Sequence, residues 1–304
     1  MKKIITAILC MAISFSFTAC SNTAGRDESK VQIVTTIFPL YDFAREIGGD
    51  KVQVSLILPT GGEVHSYEPT PKDIIEIKES DLFIAQGADA DPWTSAVIND
   101  ADSKKLNVLY ALDSLELISE EHEHPSYSSH VHTDPHVWTT PKNAGVISEN
   151  ICKKLSAIDA ENADYYKENL AAYKEKLNAL DEKFTKLTKD LDKTIVFADQ
   201  FPFRYFAREY NLKYLAAFPG CSSESEPTAS AVAQIIDTVK KEKISVVFYT
   251  ETSNKQLANA VCEETGAKKL LFHSCHSVTD EELKSGVTYL DLMEKNYEAL
   301  KKAV

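Results

Sequence analysis

The sequence predicts an α/β protein of two lobes, each with a parallel sheet, and a long rigid helix between them. Short β-branched runs alternate with amphipathic segments, which is typical of parallel sheets covered by helices on both faces. Four of these runs lie before residue 120 and four after residue 190. Between the two sets, apolar residues recur at alternating steps of four and three, which indicates one uninterrupted helix.

The eight predicted strands divide evenly between the lobes. Those of the first lobe are Gln32–Ile37, Val52–Leu58, Leu82–Ala85 and Leu106–Tyr110, and those of the second are Thr194–Phe197, Tyr214–Ala217, Ser245–Phe248 and Lys269–Phe272. The predicted helices between them include Leu40–Ile47, Lys72–Glu79, Phe203–Tyr210, Ala229–Lys241 and Asn254–Thr265. We therefore expect lobes at residues 31–160 and 193–304.

The predicted linking helix covers residues 161–192. Its apolar seam consists of Tyr166, Leu170, Tyr173, Leu177, Leu180, Phe184, Leu187 and Leu191, with Lys and Glu on the other faces. At ~1.5 Å per residue such a helix runs on the order of 40 Å, about the length of a lobe. We expect it to brace both lobes. A coiled-coil dimerisation helix is the alternative, although the seam is short for a coiled coil.

The first 30 residues predict export and a lipid anchor. Residues 1–19 combine a basic start, a short apolar stretch and small residues before Cys20, which is typical of a secretory signal. Thr18-Ala19 before the cysteine resembles a bacterial lipoprotein signal, in which Cys20 becomes the lipidated first residue. Residues 20–30 are polar and form a tether. A buried helix or a membrane anchor is the alternative for the apolar stretch.

Charge and cysteine content limit the classes of partner and metal site that we expect. The formal net charge of −13 argues against nucleic acid and mildly favours cations near the surface. The cysteines form no Cys-x-x-Cys pair, so a thiolate zinc knuckle is not expected. Outside the membrane, disulfides are possible. Cys221 and Cys275 both follow predicted strands of the second lobe, so they form the possible disulfide.

Histidine is the most informative residue type, because imidazole is the commonest ligand of borderline-soft divalent metals. His65 follows the strand Val52–Leu58 after a turn with two glycines, and ligands bind at this end of strands in an open α/β sheet. His136 follows Asp134, a carboxylate that would orient its ring, and precedes Trp138, which would pack beneath it. The alternatives are a surface histidine in a turn for His65 and a core histidine for His136.

A third group of histidines lies in the polar stretch 119–133. His122, His124, His130 and His132 stand here without any helical or strand periodicity. Clustered histidines are typical of metal-binding tracts. We interpret the stretch as a mobile loop that holds metal weakly and passes it inward, with a plain solvent loop as the alternative.

Three phrases carry a family resemblance: GGEVHSYEPTPKD at 61–73, DPHVWTTPKN at 134–143 and ETGAKKLLFH at 264–273. With the lipoprotein cysteine, they resemble the metal-binding lipoproteins of zinc and manganese ABC importers, the cluster A-I solute-binding proteins. The resemblance implies two (βα)4 lobes joined by a rigid helix and one metal site in the cleft. It also implies docking of a monomer to a membrane permease driven by an ATPase, with His65 and His136 as two metal ligands.

The second lobe departs from the family pattern. Gln200 stands where the family has a His or Glu ligand, and a neutral carboxamide is a poor ligand for zinc. The family's fourth ligand falls on His273 by one spacing and on His276 by another, and we expect both to bind and compensate for Gln200. The alternative is one ligand and one supporting histidine. An imidazole-rich site favours Zn²⁺ over Mn²⁺, which prefers oxygen ligands. Glu224 and Glu226 keep oxygen ligation possible.

Three functions follow. The first is capture of zinc, or alternatively manganese, for import. The second is a zinc-dependent hydrolase, which would need an open coordination position and a general base. The sequence has no His-Glu-x-x-His helix and no nucleophile elbow, so we expect no enzyme. The third is cell adhesion by an exposed, lipid-anchored surface protein, either as a main or as a second role.

Overall fold

The first lobe is built on a parallel sheet with strand order β2-β1-β3-β4. The computed structural model describes residues 26–87, 90–100, 106–120, 132–218 and 227–304. The four strands are β1 (Val31–Thr35), β2 (Val52–Leu56), β3 (Leu82–Ala85) and β4 (Asn107–Tyr110). The order reverses between β1 and β3, and in open α/β sheets ligands bind beyond the carboxyl ends of the strands.

The second lobe has a parallel sheet with strand order β10-β9-β7-β8, and a two-stranded antiparallel ribbon, β5-β6, lies between the lobes in the chain. The ribbon pairs Ser119–Glu120 with His132–Thr133. The strands of the second sheet are β7 (Thr194–Phe197), β8 (Lys213–Ala216), β9 (Val246–Tyr249) and β10 (Lys268–Leu271). Because these strands are parallel, the loops after β7, β9 and β10 all leave the sheet at the carboxyl ends of the strands.

Helices cover both sheets, and threonines at their N-terminal caps set several of their starts. The helices are α1 (Phe38–Gly48), α2 (Pro71–Glu79), α3 (Trp93–Asp100), α4 (Pro141–Ile158), α5 (Ala163–Thr188), α6 (Arg204–Glu209), α7 (Ala229–Glu242), α8 (Gln256–Thr265), α9 (Asp280–Ser285) and α10 (Tyr289–Ala303). In α2 the Thr70 side chain accepts from Asp73 N–H, and the Asp73 carboxylate accepts from Thr70 N–H. Among the described residues, no helix is long and apolar enough to cross a membrane.

The linking helix α5 is a brace inside the chain. It packs against α1 and α4 of the first lobe and against α10 of the second. Its buried side chains are Tyr166, Tyr173, Leu177, Leu180, Phe184 and Thr188. One hydrophobic cluster runs from the first lobe through this seam to Phe197 and Phe272 of the second. Because the seam is buried within the chain, it is not the contact face of a coiled coil.

The predicted fold class, two parallel α/β lobes joined by a long helix, is confirmed. Strand β1 ends at Thr35 instead of Ile37, because helix α1 starts at Phe38 with Pro39 in its first turn. Strands β7 and β3 have the predicted bounds, and the others shift by one or two residues. The lobe bounds at residues 160 and 193 stay a prediction, since the continuous core shows no break between the lobes.

Candidate metal centre

His136 of the first lobe is buried, with 3% of its surface exposed, and is held by Asp134. The ring Nδ1 lies 2.5 Å from Asp134 Oδ1, and the main-chain N–H of His136 donates to the same oxygen at 2.9 Å. Burial alone would raise the pKa of Asp134, but the His136 ring and N–H and the nearby Arg204 lower it below its ordinary value. An ionised carboxylate only accepts, so Nδ1 carries the proton and Nε2 the lone pair of the neutral ring.

Asp134 is itself fixed by the second lobe. The hydroxyl of Tyr205, on α6, donates to the main-chain oxygen of Asp134 at 2.8 Å, and accepts the N–H of Ile118 at 2.9 Å. The Arg204 Nε lies 3.9 Å from Asp134 Oδ2. The orientation of His136 therefore depends on contacts from both lobes.

His276 of the second lobe faces His136 across the interface. The two ring centroids are 4.6 Å apart with an interplanar angle of 80°. The indole ring of Trp138 lies 4.9 Å from His276 and 5.6 Å from His136, so it packs against both imidazoles, as the sequence predicts for His136. Both histidines are at most 5% exposed. The structure thus brings one buried imidazole from each lobe to the same place.

His273 lies on the same loop as His276 but has different partners. Its Nδ1 accepts the main-chain N–H of Cys275 at 2.9 Å, which leaves the ring proton on Nε2. Asn296 of α10 clamps its main chain, accepting from His273 N–H and donating to His273 O. Among the described residues it makes no ring contact with His136 or His276. The expected role of His273 as a ligand stays a prediction, and the hydrogen bonds of its ring favour the alternative of a supporting histidine.

Gln200 reaches a small polar cavity between the lobes. The cavity has a volume of about 10 Å³, close to the size of one water molecule. Its lining residues are Gly62, Glu63, Val64, Gln200, Pro202, Thr250, Thr252, Ser274 and His276. Gln200 and His276 therefore share one cavity with the loop that carries His65. That Gln200 stands at a metal-ligand position stays a prediction.

His65 lies in a single 3-10 turn, Val64–Ser66, after strand β2. The preceding loop touches the second lobe, where the N–H of Gly61 donates to the main-chain oxygen of Val278 at 3.0 Å. Gly61 has a φ of +69°, a left-handed conformation that glycine adopts without strain. Among the side chains that the structure describes, which do not include that of His65, no three His, Cys, Asp or Glu are grouped so that they could hold a metal.

Several predicted residues lie outside the described part of the chain. These are Cys20, His122, His124, His130, Cys221, Glu224 and Glu226, together with the side chain of His132. Cys275 is fully buried, and burial raises the pKa of its thiol well above the ordinary value, with Glu251 and Asp42 adding to the effect. Since Cys221 is not described, the bridge between Cys221 and Cys275 stays a prediction.

Sequence reasoning missed Glu251 and Ser274. Glu251 follows β9 and accepts from both the main-chain N–H and the hydroxyl of Ser274, which follows β10. The neighbouring Thr250 donates its N–H and its hydroxyl to Asp199, which follows β7. The signal available in the sequence was position, since each of these polar residues lies within three residues of the end of a parallel strand.

Comparison with known proteins places this geometry in context. Residues 33–303 match the sequence profile of a family described as ZnuA, zinc-uptake complex component A, periplasmic. The zinc-binding lipoprotein AdcA of Streptococcus pneumoniae is 33% identical over 99% of this chain, which spans 61% of the length of AdcA. The high-affinity zinc uptake system protein ZnuA of Bacillus subtilis is 30% identical, with 93% of this chain and 92% of that protein covered.

Solved structures agree with these matches. The Zn(II)-bound ZnuA-like domain of AdcA superposes with a TM-score of 0.76, covering 90% of this chain and 98% of that domain. The laminin-binding protein Lmb of Streptococcus agalactiae, described as bifunctional with adhesin and metal transporting activity, has a TM-score of 0.76 at 30% identity. The superposition covers 90% of this chain and 99% of Lmb.

Proposed function

The chain belongs to the ZnuA family of periplasmic zinc-uptake components, and from this premise we propose that it captures Zn²⁺ between its lobes for import. One observation carries the proposal: His136 and His276, from opposite lobes, are buried with ring centroids 4.6 Å apart. Each ring has its Nδ1 hydrogen-bonded to an oxygen, which is the usual arrangement of imidazoles that bind metal through Nε2. A metal held this way would bridge the lobes.

We assign the ligand set as His65, His136 and His276, with Gln200 at its edge. His65 is included because its turn borders the cavity that Gln200 and His276 line. Three imidazoles suit zinc, which binds nitrogen in small, tetrahedral sites. His273 is assigned to the support of the loop, because its Nδ1 lone pair is already used by Cys275 N–H.

Zinc is the proposed cargo in preference to manganese. Manganese prefers oxygen ligands in an octahedron, and the rings that meet at the interface are imidazoles. Glu63 lines the cavity and Glu251 approaches His273 Nδ1 to 3.5 Å, so carboxylates stand nearby. Glu251 is engaged by Ser274, however, and is therefore assigned to the support of the site.

Delivery would require partners outside this chain. We propose that an ABC permease with its ATPase receives the metal, and that the protein works outside the cytoplasm, held to the outer face of the membrane by a lipid on Cys20. The support is the family membership and the lipoprotein description of the similar AdcA. As a transport component, the protein would bind zinc without catalysing a reaction.

Adhesion is a second proposed role, favoured by the similarity to Lmb. Binding of the zinc-loaded chain to a laminin-coated surface tests it, with the chelated chain as the control. Equal, negligible binding by both forms would remove this role and leave the transport proposal unaffected.

The deciding experiment for zinc capture is a chelator-competition titration of the full chain with Zn²⁺ and with Mn²⁺. We expect one tight zinc site, weaker manganese binding, and loss of the tight site in His136→Ala and in His276→Ala. A zinc dissociation constant weaker than about 1 μM, or tighter binding of manganese, would contradict the proposal.

A further inference from the structure

Ser274 joins a carboxylate to the candidate ligand His276. Its main-chain N–H donates to Glu251 Oε2 at 2.8 Å, and its hydroxyl donates to Glu251 Oε1 at 2.5 Å. The same hydroxyl oxygen lies 3.1 Å from His276 Nδ1 and accepts the main-chain N–H of His276 at 3.3 Å. Ser274 is 3% exposed and the Glu251 side chain 11%, so water competes little with these bonds.

The hydrogen-bond roles in this chain follow from counting protons. The single hydroxyl proton of Ser274 is donated to Glu251 Oε1, which lies closer to the hydroxyl oxygen than His276 Nδ1 does. The hydroxyl oxygen then offers only lone pairs toward His276. The neutral imidazole must donate from Nδ1, and its lone pair lies on Nε2. The contact with Ser274 therefore places the ring proton of the neutral imidazole on Nδ1.

We propose that Glu251 and Ser274 act as a positioning pair that selects Nε2 of His276 as the nitrogen presented to the transported metal. The inference rests on the proposed function, because it assumes that His276 is a ligand. In the first lobe, Asp134 contacts the imidazole of His136 directly. In the second lobe a serine hydroxyl stands between carboxylate and imidazole, and Nδ1 of the ring again faces an oxygen.

A purely structural role for the pair is the competing explanation. The loop after β10 turns sharply, with Cys275 at a φ of +65°, an unusual value for a residue with a side chain. Glu251 could serve only to close this turn through Ser274 N–H. In that case, loss of the Ser274 hydroxyl would change stability but not the position of the His276 ring proton.

The first measurement therefore reports the proton directly. Long-range ¹H–¹⁵N correlation spectra of the full chain, freed of metal at neutral pH and assigned with His276→Gln, identify which nitrogen of His276 is protonated. We expect protonation at Nδ1 in the wild type, a mixture of both forms in Ser274→Ala, and restoration of Nδ1 protonation in Ser274→Thr. Ser277→Ala is the matched control, because Ser277 is equally buried beside His276.

The second measurement is the zinc affinity of the same variants. Partners of metal-bound imidazoles typically contribute roughly 10–100-fold to affinity, and we expect a loss in this range for Ser274→Ala. Glu251→Gln removes the charge but keeps a hydrogen-bond acceptor, so it should lose less. Unchanged protonation and affinity in Ser274→Ala would overturn the proposal. If Ser274→Ala does not fold, Glu251→Gln provides an independent test. Absence of tight zinc binding in the wild type would instead remove the proposed function, while the spectra still report the bond network.

Discussion

Trp138 of the first lobe donates its indole N–H to the main-chain oxygen of Ser274 in the second lobe, at an N···O distance of 2.9 Å. The main-chain oxygen of Trp138 in turn accepts the hydroxyl of Tyr289, on α10, at 2.7 Å. These two bonds join the lobes directly beside the rings of His136 and His276. Ser274 thus connects three things: the other lobe, the carboxylate of Glu251 and the candidate ligand His276.

Trp138→Phe should separate this interlobe bond from aromatic packing. The variant keeps a ring against His276 but leaves the buried Ser274 oxygen without the indole donor, at a cost of about 1–3 kcal/mol in the free energy of unfolding. We also expect several-fold weaker zinc binding. Urea unfolding of the metal-free chain and chelator competition measure the two effects. Trp93→Phe, in the first lobe, is the control, and wild-type values for Trp138→Phe would show that the bond is dispensable.

The sequence predicted the parts of the site whose signals are local. His65 and His136 stand in short phrases that follow strands or precede a proline-started helix, and the strands themselves are marked by β-branched residues. The contact between His136 and His276 could not be predicted in this way, because the two residues are 140 positions apart in the chain (276 − 136) and meet only through the packing of the lobes.

The roles of His273 and His276 were inseparable in the sequence for a different reason. Both follow strand β10 within six residues, and each fits a spacing found in the family. Cys275 has a left-handed conformation, and its N–H donates to the ring of His273. The sequence does not indicate this conformation, because glycine is the residue that usually adopts it. Helix α10 was also missed, although Thr288 and Asp291 form a capping box at its start.

Asp42→Asn should change how stability depends on pH. Burial raises the pKa of Asp42 to about 7, and the charges of Glu46 and Asp291 add to the rise. The N–H of Tyr289 and the nearby Arg45 lower this pKa by less. Between the ordinary carboxyl pKa of 3.8 and about 7, Asp42 therefore keeps its proton in the folded state and loses it in the unfolded state. Stability from this group is therefore full below the ordinary pKa and is lost as pH rises through about 7.

The asparagine variant lacks this dependence but can still accept the N–H of Tyr289. We expect its free energy of unfolding, relative to the wild type, to rise between about pH 4 and 7.5, by up to about 4 kcal/mol. Urea unfolding of the metal-free chains at several pH values measures the difference, with Glu116→Gln, whose side chain is 89% exposed, as the control. A difference that stays constant with pH would contradict the prediction.

Zinc binding itself should weaken in mild acid. A metal-binding imidazole must be neutral, so protons compete with zinc for the Nε2 lone pairs of the ligands. We expect tight binding above about pH 7 and release as pH falls through roughly 6 to 5, near the ordinary pKa of histidine. Metal content after equilibration with a weak chelator measures the release. Zinc retained at about pH 4.5 would indicate a carboxylate-rich site instead.

Removal of residues 122–129 should reduce the number of weak zinc sites and leave the tight one. The deletion takes out His122 and His124, while the ribbon at the base of the loop pairs Ser119–Glu120 with His132–Thr133 and still leads into His136. Equilibrium dialysis at high and low zinc separates the two kinds of site, and a variant with His122 and His124 changed to Gln controls for loop length. A large loss of tight binding would make one of these histidines a main ligand.

Alanine variants of His276, His273 and Gln200 should separate ligand from support. Because the imidazole of His276 faces His136, its removal should weaken zinc by more than the roughly 100-fold that supporting residues contribute. His273→Ala should lower the free energy of unfolding, because Cys275 N–H loses its acceptor, and change zinc affinity far less. Gln200→Ala should matter little.

Gln200→His should tighten zinc, because it places an imidazole at the interlobe cavity that His276 also lines. Chelator competition and urea unfolding on the same set of variants provide both readouts. Equal losses of affinity in His273→Ala and His276→Ala would show that both histidines bind the metal, as the sequence alone predicts. A loss confined to Gln200→Ala would make the carboxamide a true ligand, and the observed pairing of His136 with His276 would then describe packing rather than coordination.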